Sequence, residues 1–190
     1  MTTATTPQAL AYADAHRQSR AGAHAVAGGL SDDQFNWKPG PASWSVAECL
    51  AHLNVVAEAY LPRLESAVAD GARRGAGPFE YGFVARKVRE GAQPGGPALK
   101  TGRALDPSTG GARSALDKAA TLAAFDGHVA RYVDVCERSA GLDLARIKVR
   151  YPFMRLLRLP LGAFLDVTGL HALRHVRQAE RVVEAPAFPA

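Results

Sequence analysis

The sequence predicts an all-α protein, a four-helix bundle with a long crossover connection between helices 2 and 3. Three observations predict it. Four stretches, at about residues 7–27, 45–64, 121–139 and 161–183, carry apolar residues at the helical spacing of three and four. A capping box running from Ser45 to Glu48 marks where the second of them starts. A stretch rich in glycine, proline and arginine, about residues 70–115, separates the second from the third. Residues 1–190 read as a single domain, long enough to bury a core, with 70–115 as an irregular insertion.

The first helical stretch is alanine-rich and stops at Gly28-Gly29. Its apolar face is weak, carried by Leu10, Ala13, Ala21 and Val26. His16 and His24 are read there as surface or boundary residues. Ser31 followed by Gln34 then suits a capped turn, and Pro39-Gly40-Pro41 forbids helix. Trp37 and Trp44 flank that bend and are expected to pin it to the core. In the second helix Val46, Cys49, Leu50, Leu53, Val56, Tyr60, Leu61 and Leu64 form the buried stripe. Trp44 and Cys49 occupy the positions of a hydrophobic staple, and Pro62 should kink or loosen the helix.

A short helix fits residues 83–90. The rest of the insertion, GAQPGGPALKTGRALDPSTGGARS, is an irregular connection of a length that is uncommon unless it covers a site or is disordered, and it is read as a candidate lid or partner contact. The third helix presents Leu122, Phe125, Val129, Tyr132, Val133 and Cys136 and ends at Gly141. LARIKVRYPFM reads as extended, from its β-branched residues and Pro152. The last helix turns Phe164, Val167, Leu170, His171, His175 and Val182 inward.

An apolar fraction of 47% and a charged fraction of 22% are those of a soluble globular protein. No apolar run approaches the roughly 18 residues of a membrane span, and MTTATTPQAL lacks the pattern of a signal peptide. A cytoplasmic location is the expectation, with no membrane partner. Cys49 and Cys136 sit at apolar helical positions and are expected to be buried and reduced. Cys49 lies one turn before His52, so approach to a metal there is the lesser reading. The formal charge is +5, and its nearest thing to a cluster is Arg73, Arg74, Arg86, Lys87 and Arg89. Without a basic stripe and base-stacking aromatics, no nucleic-acid partner is expected. These residues read as solvated surface or, second, as attraction for a small anionic substrate.

The chemistry is carried by histidines. His171 and His175 are four apart on the last helix and share a face. Two imidazoles so placed can grip one metal ion, and His52 from the second helix could complete a three-nitrogen site. A pair spaced by four is weak evidence alone. Placement strengthens it, because two imidazoles buried without partners are unfavourable. A zincin needs a glutamate where Ala172 stands. Di-iron bundles need Glu-x-x-His pairs, zinc fingers need paired cysteines, and the chain has no Gly-x-Ser-x-Gly. Three neutral imidazoles suit zinc, nickel or iron better than magnesium or calcium. They leave such an ion open positions for water or a thiol. No catalytic side chain is assigned. Gln178, Thr168 and Glu48, each one turn from a histidine, are nominated to hydrogen-bond an imidazole or a metal-bound water. Glu48 is expected to serve its capping box first. Asn54 and Arg174 are weaker nominees, and Arg174 is expected to snorkel or to pair with an acid.

Trp44-Ser45-Val46-Ala47-Glu48, followed by Ala51-His52-Leu53, resembles the second-helix signature of DinB-like proteins, the damage-inducible bundle superfamily. Leu170-His171-Ala172-Leu173-Arg174-His175-Val176-Arg177-Gln178 resembles its last-helix signature, and the resemblance spans about residues 30–183. Ala172 departs from it, since members often carry an acidic residue there. The resemblance implies a bundle holding one divalent metal on three histidines, often as a homodimer. The superfamily includes S-transferases and isomerases that use low-molecular-weight thiols such as mycothiol or bacillithiol. The expectation is therefore a divalent-metal-dependent enzyme acting on a small molecule, a thiol-dependent S-transferase or a related hydrolase or isomerase. The alternative is a non-catalytic, metal-stabilised module for dimerisation or regulation.

Overall fold

A computed structural model describes residues 7–97, 115–152 and 156–190. Its elements are α1 (Pro7–Ala27), α2 (Asp32–Asn36), α3 (Val46–Ala69), α4 (Phe83–Ala92), α5 (Lys118–Arg138), β1 (Lys148–Arg150), β2 (Arg158–Pro160) and α6 (Leu161–Val183). Several helix starts are set by local side chains that satisfy otherwise orphaned amides. Ser45 and Glu48 form the reciprocal capping box of α3, Ser31 and Gln34 that of α2, and Asp117 accepts from the Ala120 amide at the start of α5. The α3 helix runs on through Pro62 to Ala69. Gly141, just past α5, has a φ of 74°, a conformation that disfavours side chains.

The bundle consists of α1, α3, α5 and α6. The α1 helix packs on α5 and α6, and α3 packs on the same two. The pairs α1/α3 and α5/α6 therefore face each other across diagonals. Contacts fix the directions. Arg17 meets Glu137 while His24 meets Asp126, so α1 and α5 are antiparallel. Gly169 faces Ala15 and Gly22 faces Val176, so α1 and α6 are parallel. Asn54 reaches Thr121 and Glu65 reaches Arg131, so α3 and α5 are parallel. His52 meets His171 while Tyr60 meets Phe164, which makes α3 and α6 antiparallel.

Parallel α3 and α5 explain the long crossover. The chain must return the length of α3, about 36 Å at ~1.5 Å per residue, before α5 can start. On the way α4 docks on α6. Arg174 holds it there, donating from Nη1 to the carbonyls of Gly91, Gln93 and Gly96 and from Nη2 to that of Pro97, at 3.1–3.2 Å. Arg174 thus pairs with backbone carbonyls at the end of a helix, where a cation is favourable, and among the described residues not with an acid. Most of the expected irregular connection, residues 98–114, lies outside the described residues.

Two readings of α1 are corrected, its inward face and the surface place given to His16. In α1 the buried residues are Ala9, Tyr12, Ala13, His16, Ser19, Ala23 and Ala27, whereas Leu10 and Ala21 are exposed and Val26 is half-buried. The inward face is the one whose small residues let α1 approach α6. A Cβ added at Gly169 would lie 2.9 Å from Ala15 Cβ, and one at Gly22 would lie 2.7 Å from Val176 Cγ1. His16 is on that face and only 1% exposed, while His24 is exposed and bonds Asp126 at 2.9 Å. The all-α class stands, with one small two-stranded sheet beside the bundle. The expected extended stretch is β1, and it pairs antiparallel with an unexpected β2, Val149 opposite Leu159.

The predicted α3 stripe is buried throughout. Leu61, Leu64, Leu144, Phe164 and Leu165 centre one half of the core, and Phe35, Leu50, Phe125 and Val176 the other. Among the described residues no helix is long and apolar enough to cross a membrane.

Candidate metal centre

The α3 cap fixes where the helix begins, and His52 follows two turns later. Antiparallel α6 brings His171 and His175 opposite it. One ligand nitrogen from each of the three lies within 4.8 Å of the others. His52 Nε2 and His171 Nε2 are 3.0 Å apart. The His175 ring centroid is 4.5 Å from each of the other two. Nitrogens about 2.0–2.1 Å from one tetrahedral zinc stand roughly 3.3 Å from each other, so the His52–His171 pair is already near that spacing and only His175 has to approach. His52 and His175 are buried, and His171 is half-buried.

Burial is the main force on protonation. It holds His171 down to about 3, helped by the neighbouring His52 and then by Arg174. Burial likewise holds His175 well below the usual histidine range, with His171 and His52 adding to it. Both are therefore neutral at pH 7 and offer lone pairs. Gln178 interacts with His175 and opposes the shift, yet His175 Nδ1 has no partner at full hydrogen-bond geometry. Neutral imidazoles converging on one point, with a buried nitrogen left over, fit a divalent transition metal. No carboxylate or thiolate joins this group among the described residues. Cys49 is buried and its thiol is pushed up to about 12, chiefly by burial. It does not belong to the donor set.

The remaining nominees divide. Gln178 lies at the triad. Thr168 does not engage it: its Oγ1 donates to Phe164 O at 2.8 Å and faces His16 Nε2 at 3.4 Å. Glu48 is occupied, accepting from Ser45 N at 3.0 Å and from Lys38 Nζ at 2.9 Å. Asn54 is drawn to α5, donating to Thr121 O and meeting His128 Nδ1, each at 3.1 Å. Trp44 was expected only as an anchor. It is in fact a wall of the site, stacked on His175 at 5.6 Å and tilted against His52 at 5.0 Å. It stands just before the cap of α3, outside the helix, so helical spacing gave no signal of these contacts.

Of the basic cluster, Arg86 and Arg89 line a groove of about 310 Å³ with Glu80, Tyr81, Ala163 and Asp166. Arg89 is paired there with Asp166 at 2.7 Å. The groove opens between α4 and the part of α6 one to two turns before His171.

A family model described as the DinB superfamily matches residues 15–179, and the chain belongs to that superfamily. Among solved structures it is similar to YfiT from Bacillus subtilis, described as a probable metal-dependent hydrolase with an unusual four-helix bundle topology. That likeness has a TM-score of 0.60 at 11% identity and covers 97% of this chain and 90% of the other. At such identity it establishes the shared fold. No curated protein matches the chain.

Proposed function

We propose that this member of the DinB superfamily is a divalent-metal-dependent enzyme whose ion is held by His52, His171 and His175. One observation carries the reading: three imidazole nitrogens from two helices lie within 4.8 Å of one another, with no protein anion among them. A zinc, nickel or iron ion so held keeps most of its charge and acts as a Lewis acid toward water or a thiol in its open positions. The chain's own residues prepare that ground. The capping box sets the position of His52, the spacing of four aligns His171 with His175, and Trp44 covers two of the rings. Burial keeps His171 and His175 unprotonated.

The substrate in this reading is a small molecule, and the groove beside Arg86 and Arg89 receives its anionic part. The nucleophile is water in a hydrolase, or a low-molecular-weight thiol in an S-transferase or isomerase. The solved relative's description favours the first, and the sequence signatures favour the second. The protein acts as a cytoplasmic homodimer, without nucleic acid or membrane. A second reading is a non-catalytic module that the metal stabilises for dimerisation or regulation. The depth of His52 and His175, 2% and 7% exposed, favours it, because a buried ion is poorly placed to meet substrate.

Elemental analysis of the purified full chain tests the metal, with one equivalent expected in the wild type and none in His52→Ala. Assay of ester hydrolysis and of thiol transfer, with and without chelator, then separates the two readings. Absence of metal from the wild type refutes both. Bound metal with no chelator-sensitive turnover refutes the enzyme.

A further inference from the structure

Behind the triad, between α1, α3, α5 and α6, lies an internal space of about 20 Å³. His16, Tyr132, Thr168 and His171 are in its wall, with Leu53 and Phe125 among the apolar lining. One water molecule needs about 10–15 Å³. Two residues of that wall each carry a buried polar atom, His16 Nδ1 and Tyr132 Oη, that makes no hydrogen bond among the described residues. The two residues are 1% and 6% exposed. Leaving such a group unpaired costs on the order of 1–3 kcal/mol. The two cannot satisfy each other. Their rings stack at 4.4 Å with 7° between planes, and the polar directions of both groups lie within the ring planes.

Protonation defines the missing partner. Thr168 Oγ1 spends its hydrogen on Phe164 O at 2.8 Å, so it presents a lone pair to His16 Nε2 at 3.4 Å. The His16 proton is thereby assigned to Nε2, and Nδ1 is a bare acceptor. Tyr132 brings a hydroxyl donor. Burial keeps the imidazole neutral, held down to about 3, and pushes the phenol up so that it stays protonated. An ion has no counter-charge here. A single water fits, donating to His16 Nδ1 and accepting from Tyr132 Oη. His171 shares this wall, and with its Nε2 turned to His52 at 3.0 Å its Nδ1 is the ring atom left for the water's third bond.

We propose that this chamber is a site for one structural water bonded to His16 and Tyr132, and that through it these two act as positioning residues for His171. The positioning half rests on the metal reading above, and the water half does not. Oxygen-17 magnetic relaxation dispersion on the chelator-treated full chain counts long-lived waters in solution. Tyr132→Phe removes the donor, and Val129→Ile fills the chamber it lines. Each is expected to hold one long-lived water fewer than the wild type. In a zinc competition titration each is expected to bind about ten-fold more weakly, the usual lower bound for losing a bond that orients a ligand. An unchanged water count in both variants overturns the site. Loss of the water with unchanged zinc affinity overturns the positioning role. Loss of the water in variants of a wild type that binds no zinc supports the site and overturns the metal reading instead.

Discussion

Acid should unfold the metal-free protein, and His16 allows the size of the effect to be worked out. Its imidazole is 1% exposed, and burial lowers its pKa from 6.5 to about 3. Between those values the unfolded chain binds a proton that the native chain refuses. A base whose folded pKa is depressed leaves stability intact above the unfolded pKa and removes it as pH falls below. The slope is about 1.4 kcal/mol per pH unit per histidine, so His16 alone costs ~2.7 kcal/mol between pH 6.5 and about 4.5. His171, also lowered to about 3 with burial as first cause, adds a similar amount when no ion is bound. The sum, ~5 kcal/mol, rivals the ~5–15 kcal/mol that holds a typical domain folded. Urea denaturation of the chelator-treated chain at a series of pH values measures it. In His16→Phe, which keeps a ring against Tyr132, the curve of stability against pH should be flatter by about 1.4 kcal/mol per unit between about pH 6 and 4. Carboxylates titrate equally in both proteins and cancel in the comparison. Parallel curves for variant and wild type would refute the claim that His16 stays neutral in the folded state.

Zinc at about one hundred times its dissociation constant should stabilise the chain by ~2.7 kcal/mol, a rise in Tm of roughly 5–10 °C; thermal melts should show no such rise in His171→Ala. Arg174→Met deletes four bonds to carbonyls at the end of α4 and just after it. Hydrogen exchange of the amides in residues 83–97 should accelerate more than ten-fold while core amides of α3 stay protected, and a uniform change would contradict the local role given to Arg174. Gly169→Leu should cost about 1–3 kcal/mol by forcing α1 and α6 apart, because even a Cβ would come within 2.9 Å of Ala15 Cβ. A midpoint in urea equal to that of the wild type would show that the contact yields freely.

Much of this molecule was legible in local pattern. Ser45 and Glu48 lie three residues apart, and their reciprocal bonds form within one turn, so the start of α3 could be placed to the residue. The stripe from Val46 to Leu64 and the four-residue spacing of His171 and His175 are likewise properties of single helices. The inward face of α1 was not legible. Hydrophobicity points to Leu10 and Val26, whereas close approach to α6 selects the small residues and carries His16 inside with them. Trp44 resembled a structural anchor because its contact with His175 crosses between segments far apart in the chain. Thr168 is one turn from His171, but its hydroxyl is spent on Phe164 O and turned to His16 of α1.

The sequence by itself determined the four bundle helices, the caps at Ser31 and Ser45, the presence of a long crossover and the identity of the three histidines, because each is written in interactions of a few residues' span. Only the tertiary structure decided that α3 runs parallel to α5 and antiparallel to α6, which brings His52 to the pair on α6. Only it paired β1 with β2, turned Arg174 onto carbonyls and left a small space behind the triad with His16 and Tyr132 in its wall. These follow from which helix faces can approach closely, a matter of side-chain volume summed over all four helices at once, and no short-range pattern encodes that sum.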